Sequence, residues 1–187
     1  MKDYGIFYSF KDKGDSLVIV FDTEKEFINE KVNGRVHTYY DNDKIIGYKI
    51  DRIKEFLKIK SGGEKVFFPN AVFIDVINSI LINAQCEPLE PRDNSGYFIG
   101  QIKDIDKDKI TVSLGDKAII ASICAGANVG DKVVVALQGT MLNGRTKVKD
   151  LAHICVNKDL YSEGDDEILL LDKDTKIGGD FFTLEVK

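Results

Sequence analysis

The 187-residue chain carries 26 basic and 31 acidic side chains, 43% apolar residues and three prolines, a globular composition with room for one good core or two small ones. A net charge of −5 excludes a protein that coats nucleic acid through bulk positive charge. No apolar run approaches the roughly 20 residues that span a bilayer, and the opening MKDYGIFYSFKDKGDS lacks a secretory pattern, so the sequence predicts a cytoplasmic protein.

The first fifty residues read as strands. GIFYSF and LVIVFD flank KDKGDS, whose Gly14 and Asp15 are turn formers, and RVHTYY and IIGYKI are separated by Asp41 to Lys44, which gives two β-hairpins. Between them EKEFINEKVNG fits a short helix or a broken connection. The stretch NAVFIDVINSILINA places Phe73, Val76, Ile77, Ile80, Leu81 and Ala84 at helical spacing behind Asn70 as N-cap. A helix covering the hairpins predicts an α+β domain over residues 1–93. CEPLEPRDNSG, with two prolines and little to bury, marks the boundary near residue 93.

Over 94–187 the pattern changes to short strands: YFIGQI, KITVSL, AIIASIC, KVVVAL, HICV and EILLL. Five or six short strands separated by turn residues predict a small closed all-β barrel, because closure hides the edges of so small a sheet.

Few residues suggest chemistry. No phosphate-binding glycine loop or nucleophile elbow occurs. Asp104, Asp106 and Asp108 open like a calcium loop, but Lys109 and Gly115 stand where that loop needs Gly and Glu, so they read as a polar strand end entering a turn. His153 and Cys155 share a strand face, with Cys124 elsewhere, yet a fourth zinc ligand and CxxC spacing are lacking, and the three cysteines read as reduced thiols. His37 reads as an exposed strand residue. No metal, cofactor or catalytic residue is expected.

Residues Cys124-Ala125-Gly126-Ala127-Asn128-Val129 and Gly130-Asp131-Lys132-Val133-Val134-Val135-Ala136 resemble the C-G-A-P-N-V…G-x-K-V-V-V-A signature of the tRNA-binding OB-fold. That module stands at the N-terminus of the bacterial phenylalanyl-tRNA synthetase β subunit. Phe98 to Ile102 resemble its opening strand, and Ile168 to Leu171 with Ile177-Gly178-Gly179-Asp180-Phe181 resemble its close. The N-terminal half, with Ile46-Gly47-Tyr48-Lys49-Ile50 and then a helix, resembles the small domain preceding the module in YtpR-like tRNA-binding proteins. Two family segments are missing. The H-P-N-A-D-x-L segment is replaced by Lys103 to Lys109 running straight into the next strand, and L-R-G-V-x-S-x-G-M by Lys149 to Cys155.

The resemblance implies a non-catalytic RNA-binding protein: an OB barrel that lays tRNA or another structured RNA along its cations. Residues 94–149 are net +3 with eight basic and five acidic side chains, while 150–187 are net −6 and are expected to face away from the RNA. The candidate RNA-binding residues are Lys103, Lys107, Lys109, Asn128, Lys132, Arg145, Lys147 and Lys149. Tyr97 and Phe98 are the only aromatics between 94 and 149. The rival expectation is a degenerate barrel that has lost RNA and docks on a protein, such as a synthetase or a second copy of itself.

Overall fold

Two-residue turns and alternating apolar positions build the first half of the chain. In the computed structural model, which describes all residues except 1–3, 12, 13, 26, 59–64, 69, 70, 144, 145, 162 and 185–187, the chain divides into two units, Met1–Arg92 and Asp93–Lys187. In the first unit, β1 (Gly5–Lys11) and β2 (Gly14–Val20) pair antiparallel from Gly5↔Val20 to Lys11↔Gly14. Gly14 and Asp15, expected in the turn, therefore open β2. Asp15 instead receives the Arg52 and Lys54 backbone N–H groups, at 2.7 and 2.6 Å, at the start of a single 3₁₀ turn.

The segment expected to be helical or broken holds β3 (Asn29–Asn33). It pairs with β4 (Val36–Asp41) across a two-residue turn, in which Gly34 takes φ 62° at the first central position, where type II′ hairpins favour glycine. β5 (Lys44–Asp51) and the short β6 (Lys65–Val66) complete an antiparallel sheet in the order β3-β4-β5-β2-β1-β6.

The expected helix is α1 (Ala71–Asn83), with Ile74, Ile77, Ile80 and Leu81 buried; Asn70 lies outside the described residues. These side chains share one core with Ile6, Tyr8, Leu17, Ile19, Tyr48 and Ile50 of the sheet. Asn78 clamps the chain after the helix, accepting the Leu89 N–H at 2.7 Å and donating to its carbonyl at 2.9 Å.

The expectation of an α+β domain over 1–93 is overturned. Six strands and a single helix longer than four residues, among those described, make this unit predominantly β. The reason is local: the segment before the second hairpin, expected as a short helix or a broken connection, is an edge strand, and a further strand pairs with β1 at the opposite edge.

The second unit is all-antiparallel in its main ladders. β7 (Tyr97–Asp106), β8 (Lys109–Ser113), β9 (Ala118–Ser122), β10 (Lys132–Ala136) and β11 (His153–Ile154) lie in the order β11-β10-β7-β8-β9. The ends of that order meet: a parallel bridge joins Ala121 to Ala152, with Ser122 N–H on the Ala152 carbonyl at 2.9 Å and Ala152 N–H on that of Ile120 at 3.2 Å. A barrel of five strands results, with Ile102, Ile110, Val112, Leu114, Ala121, Val133, Val135 and Ile154 inside. Its β content and strand order are compatible with the OB fold that the sequence motif implies.

β7 is long and shared by two neighbours, so it bends at an irregularity between Ile102 and Asp104. EILLL, expected as a strand, makes only isolated bridges, Ile168 to Val156 and Leu170 to Val133. The chain then returns to β7, where Gly178 donates to Ile99 at 2.7 Å and Ile99 to Gly179 at 3.0 Å. Gly178 sits at φ 88° with the Leu114 carbonyl where a Cβ would be, so no other residue fits there without a shift of backbone.

Candidate nucleic-acid interface

The loop after β9 is held by its own polar groups. Asp131 accepts the Asn128 N–H at 2.9 Å, and the Asn128 amide donates to Gly126 at 3.0 Å and to Asp131 at 3.4 Å. Gly126 and Gly130, at φ 84° and 97°, supply the left-handed bends. The loop is also stapled to β7: Gly130 N–H donates to Ile102 at 2.8 Å, Ile102 N–H to Asp131 at 2.9 Å, and the Gln101 amide to Gly130 at 3.1 Å. Asn128 is exposed, yet its side chain already shapes the loop.

The expected cations fall into separate groups. Lys103 donates to Gln101 at 2.6 Å, and Lys132, opposite Gln101 in the ladder, donates to the Thr175 carbonyl at 2.5 Å, so both flank the stapled loop with Asn128. Lys107 and Lys109 lie at the β7–β8 turn, roughly 15 Å further along β7 at about 3.3 Å per residue. There Asp106 stands directly across the ladder from Lys109. Lys147, bridged to Met141, and the exposed Lys149 belong to the long connection before β11. Arg145 lies outside the described residues.

The acidic C-terminal segment comes beside one of these lysines: Leu171 N–H donates to the Lys132 carbonyl at 2.8 Å, and the turn from Asp172 to Thr175 sits against its ammonium.

The two aromatics of 94–149 face inward. Tyr97 is 2% exposed, with its hydroxyl on the Met141 carbonyl at 2.6 Å and its ring against Phe182, and Phe98 packs on the barrel core. The large apolar side chains that stand out to solvent here are aliphatic, Ile120, Ile123 and Val129, which are 43%, 52% and 62% exposed. Sequence reasoning missed these three, because the pairing that turns Ile120 outward opposite Thr111 is visible only in the structure.

The histidines serve structure. His153 Nε2 meets Asp159 at 2.8 Å, and the same carboxylate accepts the Val156 N–H at 2.9 Å, opening the short helix α2 (Asn157–Leu160). Cys155 beside it is fully buried, and burial, reinforced by the Asp159 charge, pushes its thiol far above the ordinary range; the half-buried Cys124 is raised for the same two reasons. Among the described residues no group of three metal-binding side chains assembles. His37, expected on an exposed face, is half-buried between Glu30 at 2.6 Å and Asp51 at 2.9 Å.

No family model matches the chain, and a search of curated proteins finds no match either. Among the described residues no helix is long and apolar enough to cross a membrane.

Proposed function

We propose that the chain is a non-catalytic, cytoplasmic RNA-binding protein whose barrel holds tRNA or another structured RNA by its phosphate backbone. The observation that carries this reading is the stretch Cys124–Ala136. It resembles the tRNA-binding signature, and it forms a rigid loop and strand flanked by Lys103 and Lys132 in a barrel with OB-like strand order. Such cations position phosphates without reading bases.

The test is a titration of labelled total tRNA at about 50 and about 200 mM salt, alongside Lys103→Glu and Lys132→Glu. Binding that weakens with salt, and weakens roughly tenfold or more in the charge reversals, is the expected result. No binding below tens of micromolar at the lower salt refutes the reading, and identical binding by the variants refutes the surface.

A second reading has its own support. Ile120, Ile123 and Val129 are exposed on the same barrel, and carboxylates alternate with its lysines. A barrel of that kind docks on a protein, a synthetase or a second copy. Ile120→Asp with Val129→Asp then abolishes the association, while tRNA titrations stay flat for wild type.

A further inference from the structure

The outer face of the β8–β9 hairpin is a strip of small polar groups between two cations. The burial alternation turns Lys109, Thr111 and Ser113 outward on β8, and Ala118, Ile120 and Ser122 outward on β9, in a register that sets Lys109 opposite Ser122 and Thr111 opposite Ile120. Lys117, in the turn between the strands, is exposed at the other end of the strip. Neither lysine makes an ion pair with a carboxylate among the described residues. From Lys109 to Ser113 the strip runs roughly 13 Å at about 3.3 Å per residue. Ser113 Oγ accepts the Gly115 N–H at 3.2 Å, which leaves its own proton to donate. On the neighbouring strand, Asp106 stands opposite Lys109 and Asp104 opposite Thr111 on the same outward face, so a phosphate on Lys109 approaches from the β9 side.

Five aromatics occur in this unit outside the undescribed positions, Tyr97, Phe98, Tyr161, Phe181 and Phe182, and every one is buried or half-buried. Single strands are gripped by stacking their bases on exposed rings. Paired RNA is gripped otherwise: its shallow minor groove presents 2′-hydroxyls between two phosphate backbones.

Resting on the RNA reading above, we propose that the barrel takes a paired RNA stem rather than unpaired bases. Lys109 and Lys117 meet phosphates on either side, and Thr111, Ser113 and Ser122 exchange hydrogen bonds with the 2′-hydroxyls between them. Ile120 lies against the sugars in the middle of the strip.

Fluorescence anisotropy with the full chain at about 50 mM salt tests this, using an RNA duplex, an unstructured RNA single strand and a DNA duplex of equal length. The RNA duplex is expected to bind at least about tenfold tighter than either of the others. The double variant Lys109→Gln, Lys117→Gln is expected to weaken the duplex and to flatten its log–log salt dependence by about two, with an unchanged circular dichroism spectrum. Thr111→Val with Ser122→Ala is expected to narrow the gap between RNA and DNA duplexes.

Single-strand binding as tight as duplex binding overturns the inference and leaves the RNA reading standing. Equal affinity for both duplexes overturns the role of the hydroxyls, and duplex binding untouched by the lysine variants overturns the strip. Failure of all three probes and of total tRNA overturns the RNA reading itself.

Discussion

Ser95 gives its backbone N–H and its hydroxyl to the two carboxylate oxygens of Asp180, at 2.6 and 2.9 Å. The same carboxylate accepts the Phe182 N–H at 2.9 Å. Ser95 is 4% exposed, so water cannot replace what Asp180 supplies. Bonds to a charged acceptor contribute about 1.5–3 kcal/mol, and truncation leaves buried donors unmade. Asp180→Ala is expected to lower the urea midpoint of the second unit by the equivalent of about 2–3 kcal/mol, with Asp180→Asn losing less. An unchanged midpoint refutes this clamp.

Tyr8 presents the opposite case. Its side chain is fully buried in the first core, and its hydroxyl has no hydrogen-bond partner among the described residues. Burying an unpaired hydroxyl costs about 1–3 kcal/mol. Tyr8→Phe removes that cost at almost constant shape, so the variant is expected to be as stable as wild type or up to about 1 kcal/mol more so. Clear destabilisation in the same denaturation experiment shows that the hydroxyl does have a partner.

Stability is expected to fall at both ends of the pH scale. Burial pushes the Tyr48 hydroxyl from 10.0 up to about 12, so its contribution is complete below pH 10 and is lost as pH rises from there through 12. Burial alone would raise the Asp51 carboxyl, but hydrogen bonds from Lys49 and His37 outweigh it and hold it below 3.8. That contribution is complete above pH 3.8 and lost as pH falls through the folded value. Melting temperatures of wild type and Tyr48→Phe between pH 9 and 12 check the alkaline limb: only wild type should lose stability through this group.

Thiol reactivity separates the cysteines. Cys155 is buried, with its thiolate disfavoured first by burial and then by the Asp159 charge, whereas Cys86 and Cys124 are half-exposed. With a chromogenic disulfide reagent in native buffer, Cys86 and Cys124 are expected to react first, and Cys155 only at the rate of unfolding. Three equivalent thiols contradict the placement of Cys155.

How much was legible follows from what each residue buries. α1 could be read because Ile77, Ile80 and Leu81 face the sheet and leave a helical period in the sequence. β3 could not, because all five of its residues are exposed and an edge strand with two wet faces has no alternation to show. Its nearest signal was Gly34, at the first central position of the turn to β4. The loop at Asn128 and the return at Gly178 were marked by motif, but motif alone did not show that the Asn128 amide is spent on its own loop. Nor did it show that Tyr97 points inward, because the partners that hold it, the Met141 carbonyl and the Phe182 ring, are distant in sequence. Charge summed by segment could not show that the backbone of Leu171 and Thr175 returns to Lys132, a contact made across about forty residues of chain.

The junction of Ala121 with Ala152 gives the barrel a seam of unequal strength. β7 and β8 are laced along five residue pairs, whereas this seam joins positions 31 apart in sequence through a single bridge and two hydrogen bonds. Thermal breathing is therefore concentrated there. The Ser122 and Ala152 amides should exchange with deuterium well before those of Ile102 and Val112, so that the hoop opens along one stitch line while its other staves stay together.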